Sequence, residues 1–117
     1  MKPGDIVLTP LPQADGQVKP RPVVVLAMLP PFNDAVACGI STQLRHAVSG
    51  FDELMQPQDD DFRLSGLKAA SVIRLGYITV LMPEDVICQI GSVSPSRVKR
   101  LLSRLGSHFT ELAARIQ

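Results

Sequence analysis

Side chains that could carry out chemistry are few in this chain of 117 residues. It has two histidines, His46 in a polar segment and His108 near the end of the chain, and it lacks the HExxH, GxSxG, GxxxxGK and CxxC motifs. Three consecutive aspartates, residues 59–61, could not all reach one metal ion unless their loop folded tightly around it, so a solvated loop is expected there. The sequence therefore argues against metal-dependent hydrolysis.

Three short segments remain as candidates, because each places polar side chains next to an apolar run. They are residues 4–7 (Gly-Asp-Ile-Val), residues 19–26 (Lys-Pro-Arg-Pro-Val-Val-Val-Leu) and residues 40–43 (Ile-Ser-Thr-Gln). The apolar part of each segment predicts a β-strand. These strands must position any site that the polar residues form.

Runs of β-branched and apolar residues predict six short strands, separated by proline and glycine turns. The predicted strands are residues 5–9, 21–27, 35–41, 71–75, 77–81 and 86–90. Residues 51–55 are compatible with a further short strand or a helical turn. Residues 11–20 contain two prolines and Asp15-Gly16, which predict a loop with a turn and a candidate mobile flap. Gly39 is a candidate bend.

The last segment changes to a helical period. Ser94 and Pro95 suit the N-cap and first position of a helix of about five to six turns. Apolar residues then follow in one stripe, at Val98, Leu101, Leu102, Leu105, Phe109, Leu112 and Ile116. Gly106 predicts a bend. The basic residues off the stripe are expected to form a solvated face, and they are Arg97, Lys99, Arg100 and Arg104.

Composition and length fit one domain, residues 1–117, with 45% hydrophobic and 20% charged residues. Twelve basic against eleven acidic residues give a net charge of +1, which neither indicates nor excludes nucleic-acid binding. Cys38 and Cys88 lie in apolar runs and are expected to be buried thiols, with a disulfide between them as the alternative. With no secretory signal and no apolar stretch of membrane-spanning length, a cytoplasmic protein is expected. Successive strands followed by one amphipathic helix predict a mainly β fold, a small barrel with a C-terminal helix.

The three candidate segments, in this order and at about this separation, resemble the MazF/PemK-like toxins of bacterial type II toxin–antitoxin systems. Residues 65–68 (Ser-Gly-Leu-Lys), 71–75 and 90–93 (Ile-Gly-Ser-Val) extend the resemblance over nearly the whole chain. The resemblance implies an SH3-like barrel and a cytoplasmic endoribonuclease toxin. Such a toxin acts as a homodimer on single-stranded RNA, without a metal or cofactor, and is held silent by a cognate antitoxin.

The resemblance also implies the residues of the site. The catalytic arginine of the family corresponds to Arg21, and the hydroxyl residue after its third strand corresponds to Ser41, where the family commonly has threonine. Serine lacks the methyl group that restricts χ1, so its hydroxyl is expected to be less firmly positioned. Lys68 and Arg74 are further candidates for lining an RNA groove. The residues expected to contact RNA are Lys19, Thr42, Gln43, Arg45 and His46.

Metal-free RNA cleavage would use the 2′-hydroxyl of the substrate to attack the adjacent phosphorus, giving a cyclic phosphate and a free 5′-hydroxyl. The guanidinium of Arg21 and the hydroxyl of Ser41 suit the charge that develops on the phosphoryl oxygens. A guanidinium remains protonated at physiological pH, so it is a poor base. His46 is the nearby side chain of a type suited to proton transfer.

Other interpretations stay open at this point. The chain could be a non-catalytic interaction module of the same fold, as in the related gyrase poison CcdB or a module that binds only an antitoxin, or an SH3-like binding domain without a toxin role. In a purely structural interpretation, Arg21 caps a strand end and pairs with Asp5 or an acidic loop residue, and Ser41 satisfies backbone groups in a turn.

Overall fold

A six-stranded antiparallel sheet forms most of the computed structural model, which describes residues 1–117. The strands are β1 (Asp5–Pro12), β2 (Val18–Leu29), β3 (Asp34–Ser41), β4 (Glu53–Met55), β5 (Ser71–Leu81) and β6 (Cys88–Ser92). The helices are α1 (Phe62–Ser65) and α2 (Pro95–Arg115), and single 3-10 turns cover Leu44–His46 and Pro83–Asp85. The sheet order is β4-β5-β3-β2-β1-β6. The strands β4 and β6 are therefore the two edge strands of a curled half-barrel, each paired on one side only. The predicted mainly β fold with a C-terminal helix is confirmed.

Apolar side chains of the central strands form two clusters, one on each face of the sheet. Val24 and Leu26 of β2 belong to the cluster that α2 covers, whereas Val23 and Val25 belong to a cluster on the opposite face. Successive side chains in a strand point to opposite faces, so the unbroken apolar run of β2 fills both clusters. The expectation that this strand is covered on both sides is confirmed.

Residues 9–12 and 18–22 form a two-stranded extension of the sheet, which we call the β1–β2 ribbon. The predicted loop over residues 11–20 is therefore wrong, although the turn at Asp15-Gly16 is confirmed, with Gly16 at φ 83°. β1 pairs with β6 only over residues 5–8, and β2 pairs with β3 only from Val23 onward. Prolines are tolerated in the ribbon because each of its strands has only one neighbour, so a missing N–H need not break a ladder.

A bulge joins the two strands predicted at residues 71–75 and 77–81 into the single strand β5. Cys38 of β3 pairs with Ile78, but the next residue, Gly39, pairs with Arg74, so three residues of β5 have no partner. Asp52 accepts a hydrogen bond from the backbone N–H of Leu75 within the bulge, at 3.0 Å. The register shift at Gly39 accounts for the bend that the sequence predicts there. Of the two alternatives for residues 51–55, the short strand is correct, as β4.

Helix α2 begins where the sequence predicts. The Ser94 hydroxyl accepts a hydrogen bond from the backbone N–H of Arg97 at 3.2 Å, and Pro95 occupies the first turn. Val98 and Leu101 are buried against the sheet, whereas the later members of the apolar stripe are largely exposed. The helix continues through Gly106 to Arg115. No helix of the chain is both long and apolar enough to cross a membrane.

The sequence predicts Arg97 on a solvated face, and this prediction is wrong. The residue is buried beneath α2, with 6% of its surface exposed. Its five N–H groups all have acceptors: the carboxylates of Glu53, Asp59 and Asp61, at 2.8 to 3.2 Å, and the backbone carbonyl of Leu54 at 3.0 Å. The expectation of a solvated loop is therefore wrong for Asp61, which is buried, and for Asp59, which is half-buried. Arg100 and Arg104 also pair with Glu53. These contacts fasten α2 to β4 and to residues 59–61.

The two cysteines lie in different environments. Cys38 is fully buried as expected, but Cys88 is exposed on the edge strand β6, so the prediction of a second buried thiol is wrong. Burial, together with the nearby charge of Asp52, raises the pKa of Cys38 to about 12. Since the thiolate is the reactive form, we expect one fast-reacting thiol per native chain and two after denaturation. Titration with a thiol reagent measures this, and a Cys88→Ser variant should lose the fast reaction. Two fast thiols in the native protein would contradict the burial of Cys38.

Acid should weaken the attachment of α2 through Asp61. Burial acts to raise the pKa of this carboxyl, but hydrogen bonds from Arg97 and Ser94 and the charge of Arg97 outweigh it and lower the pKa to about 2. A lowered folded-state pKa stabilises the fold above pH 4 and loses that effect as pH falls toward 2, here about 2 kcal/mol. Denaturant unfolding from pH 5 to 2 should show this loss in the wild type and in the exposed-site control Asp60→Asn. The decline should be shallower in Asp61→Asn, and equal slopes in all three proteins would refute the assignment.

Candidate functional site

An open groove of about 590 Å³ lies on the side of the sheet away from α2. One wall is the β1–β2 ribbon, the floor is the end of β3 with the turn that follows it, and the other wall is the segment that leads into β5. The residues that line it are Leu11, Pro12, Gln13, Ala14, Arg21, Pro22, Gly39, Ile40, Ser41, Thr42, Gln43, His46, Leu67, Lys68, Ala69, Ser71, Arg74 and Tyr77. The groove therefore collects residues from three distant parts of the chain.

The pairing of β2 with β3 sets Arg21 and Ser41 across the groove. The last paired residues are Val23 and Gly39, and continuing the same register by two residues brings Arg21 opposite Ser41. Alternate residues of a strand point to the same face of the sheet. Arg21 therefore shares a face with Val23 and Val25, and Ser41 with Ala37, which is the face opposite to α2. The two predicted catalytic residues thus line the same groove, from neighbouring strands.

The groove has a strong local charge in a nearly neutral molecule. Arg21, Lys68 and Arg74 line it, together with His46, and no aspartate or glutamate does. None of the three permanent cations takes part in a salt bridge, whereas the helix-side arginines do. An anionic ligand would therefore meet cations that no protein carboxylate neutralises.

Ser41 is held by the backbone of the turn that follows β3. Its Oγ accepts a hydrogen bond from the backbone N–H of Gln43 at 3.0 Å, which leaves the hydroxyl proton free to donate. The side-chain oxygen of Gln43 accepts a hydrogen bond from Arg45, and the backbone N–H of His46 donates to the Gln43 carbonyl at 3.0 Å. The hydrogen bond from the Gln43 N–H orients the Ser41 side chain, although serine lacks the methyl group by which threonine restricts χ1.

Arg21 is exposed, and its hydrogen-bond partner is a neutral amide. Its Nε donates to the side-chain oxygen of Gln13 at 3.2 Å. The alternative pairing with Asp5 is wrong, because Asp5 is buried and bonds to Lys2 at 2.8 Å. Burial acts to raise the pKa of Asp5, but the hydrogen bonds and charge of Lys2 lower it overall. Arg21 therefore has no carboxylate partner at the groove.

The structure brings together most of the residues that the sequence predicts for the site. Thr42, Gln43 and His46 line the groove beside Arg21 and Ser41, whereas Lys19 and Arg45 do not. Lys68 and Arg74 do line it, although they are more than 20 residues further along the chain. The roles of all these residues stay predictions at this point.

Sequence analysis missed the contributions of Gln13 and Tyr77. The ring of Tyr77 lies over Gly39, where a Cβ atom would come within 3.3 Å of it, and its hydroxyl is 3.5 Å from the carbonyl of Pro12. The signal in the sequence was Gly76, which splits the strand pattern, but it does not reveal that the resulting bulge turns Tyr77 toward the groove.

A second depression, of about 600 Å³, lies between residues 48–51 and α2. Its one permanent cation, Arg104, pairs with Glu53 at 3.2 Å and donates to backbone carbonyls. This depression therefore lacks the free cations of the groove. No group of three or more His, Cys, Asp or Glu side chains in the chain is arranged to hold a metal ion.

The curled sheet, the terminal helix and the cationic groove define a small β protein, and the charge of its groove suits an anionic ligand. The chain matches the model of the PemK-like, MazF-like toxins of type II toxin–antitoxin systems over residues 2–109, and it belongs to this family. The resemblance that the sequence segments indicate is confirmed.

Solved structures agree with this assignment at the level of the fold. The Mycobacterium tuberculosis toxin MazF-mt6 is similar with a TM-score of 0.66 and 22% identity, covering 91% of this chain and 96% of that one. An endoribonuclease from a mycobacterial species, in complex with its cognate antitoxin, gives a TM-score of 0.68 at 15% identity, covering 94% and 95% of the two chains. No curated protein sequence matches the chain.

Proposed function

We propose that this chain is an endoribonuclease toxin that cleaves single-stranded RNA at short sequence motifs without a metal ion. MazF-like toxins are endoribonucleases, and the chain belongs to their family. The observation that carries the proposal is the position of Arg21 and Ser41, on neighbouring strands, in one groove that no carboxylate lines. Carboxylates are the usual Mg²⁺ ligands, so a groove without them favours metal-free chemistry.

The proposed reaction is an internal transesterification. The 2′-oxygen of the substrate forms a bond to the adjacent phosphorus as the bond from phosphorus to the 5′-oxygen breaks, which leaves a 2′,3′-cyclic phosphate and a 5′-hydroxyl. One proton leaves the 2′-hydroxyl and one reaches the departing 5′-oxygen. The Nη groups of Arg21 and the hydroxyl of Ser41 stabilise the charge on the non-bridging oxygens.

His46 is the proposed site of proton transfer. It is exposed at the groove, and among the residues that line the groove it is the one whose side-chain type exchanges protons readily near neutral pH. Arg21 acts by its charge and its planar fork of donors and does not transfer a proton. His46 thus complements Arg21 and Ser41 without duplicating them.

The rest of the groove suits an unpaired RNA strand. Lys68 and Arg74 can contact neighbouring phosphates, and Thr42 and Gln43 offer polar groups to base edges. We extend the family's biology to this chain as a proposal: a cytoplasmic homodimer bound by a cognate antitoxin. One of the similar structures is an endoribonuclease in complex with such an antitoxin.

Substitution of the two facing residues should separate charge, geometry and hydroxyl chemistry. We expect Arg21→Ala to slow cleavage of a long single-stranded RNA by about 100-fold or more, and Arg21→Lys to be intermediate because it keeps the charge but loses the planar fork. Ser41→Ala should lose about 10-fold or more, whereas Ser41→Thr should stay within about 3-fold of wild type because the Gln43 backbone N–H still orients the hydroxyl. Single-turnover rates in EDTA measure these effects.

The same assay distinguishes catalysis from binding alone. Products should carry 5′-hydroxyl and 2′,3′-cyclic phosphate ends, and a substrate with one 2′-deoxy sugar at the cleaved position should stay intact. Intact RNA at high enzyme excess would refute the nuclease and favour the interaction module. Cleavage that disappears in EDTA and returns with Mg²⁺ would refute the metal-free mechanism, and equal rates for wild type and Arg21→Ala would refute the site.

The groove cations should determine the salt dependence of binding. For single strands, each neutralised phosphate contributes a slope of about −0.7 to a plot of log affinity against log salt concentration. Lys68→Ala and Arg74→Ala should each make that slope shallower by about this amount for a 2′-deoxy oligonucleotide. Lys99→Ala, which removes an exposed charge from α2, is the matched control and should leave the slope unchanged. An equal effect of all three variants would mean that the strand does not follow the groove.

A further inference from the structure

We infer that Gln13 is a positioning residue for Arg21, an inference that rests on the function proposed above. Gln13 lies in the turn at the tip of the β1–β2 ribbon, and no pattern in the sequence points to it. Its side-chain oxygen accepts a hydrogen bond from Nε of Arg21 at 3.2 Å. It is the one side chain that bonds to this guanidinium.

The amide of Gln13 is itself fixed, so it can direct the arginine. Its Nε2 donates to the backbone carbonyl of Leu11 at 3.0 Å. This hydrogen bond turns the Oε1 side of the amide toward Arg21. The backbone N–H of Gln13 donates to the Gln17 carbonyl at 2.7 Å, and the Gln13 carbonyl accepts from the backbone N–H of Gly16 at 3.0 Å. The residue is therefore held through both its backbone and its side chain.

Use of Nε by Gln13 leaves both Nη groups of Arg21 available to a ligand. A guanidinium has five N–H donors in a rigid fork, and one of them is engaged here. The remaining four suit two phosphoryl oxygens in an end-on arrangement. A flexible, exposed arginine would otherwise have to be ordered during the reaction, which costs rate.

The neutrality of Gln13 is as important as its position. Arg97 illustrates the alternative, because three carboxylates satisfy and neutralise it. Gln13 orients Arg21 through a hydrogen bond but adds no negative charge to the groove. The ribbon thus combines restraint with an undiminished cation, which is what stabilisation of phosphoryl charge requires.

Kinetics of Gln13 variants test the inference. Gln13→Ala should reduce the single-turnover cleavage rate by about 10-fold while the dissociation constant for a 2′-deoxy oligonucleotide changes by less than about 2-fold, since positioning acts in the transition state. Gln13→Glu keeps the acceptor but adds a charge, so it should cleave more slowly still. Gln17→Ala, in the same turn but without a side-chain bond to Arg21, should cleave as wild type does. A wild-type rate for Gln13→Ala, or a loss confined to affinity, would overturn the inference.

A measurement on the free protein separates this inference from the proposed function. Exchange of the Arg21 Nε–H with water, followed by NMR, should speed up by about 3-fold or more in Gln13→Ala and stay unchanged in Gln17→Ala. If wild type does not cleave RNA but this exchange depends on Gln13, the nuclease proposal fails and the contact stands. If wild type cleaves and the exchange is the same in all three proteins, the positioning role fails and the nuclease proposal stands.

Discussion

The candidate groove depends on the point at which β2 and β3 stop pairing. The ladder ends at Val23 and Gly39, and the next residue of β2, Pro22, has no N–H to continue it. The two strands therefore open at the position where Arg21 and Ser41 face each other. A slip of one residue would send the side chains of one strand to the opposite face and separate the pair.

Helix α2 stabilises the sheet from the side away from the groove. The five hydrogen bonds of Arg97 connect the helix to β4 and to residues 59–61, which lie more than 30 positions earlier in the chain. Removing one partner of such a buried pair typically costs 3–5 kcal/mol, because a charge is left without compensation. The ion pairs thus fasten one side of the sheet, while the groove is built from the ribbon, the turn after β3 and the segment that leads into β5.

The sequence was informative where local chemistry decides the structure. Ser94 and Pro95 define the start of α2, and the apolar run of β2 identifies a strand that is covered on both faces. It was misleading where a distant partner decides. Pro10 and Pro20 pair with each other in the ribbon, and Arg97 is buried because carboxylates reach it from another part of the chain. Neither arrangement can be predicted from the residues next to it in the sequence.

The candidate site shows the same division. Arg21 and Ser41 could be named because the segments that contain them resemble the MazF/PemK-like family, whereas the residues alone left a purely structural role open. Lys68 and Arg74 were candidates, but no local pattern locates them at the groove, and Gln13 was missed, because the segment that leads into β5 and the turn of the ribbon bring these residues there. Sequence proximity instead favoured Lys19 and Arg45, which lie outside it.

The net charge of +1 conceals how the charges are distributed. Arginines of α2 form salt bridges with Glu53, Asp59 and Asp61. These carboxylates lie on the helix side and do not line the groove on the other face. At physiological ionic strength the Debye length is about 8 Å, so charge on the far side of the molecule is screened from a ligand in the groove. The electrostatic attraction of a polyanion to the groove would therefore depend on Arg21, Lys68 and Arg74 and not on the net charge of the chain. The ion pairs that hold the helix and the unpaired cations of the groove are therefore electrostatically separate, so the sequence can change one set without altering the charge that a ligand of the other face meets.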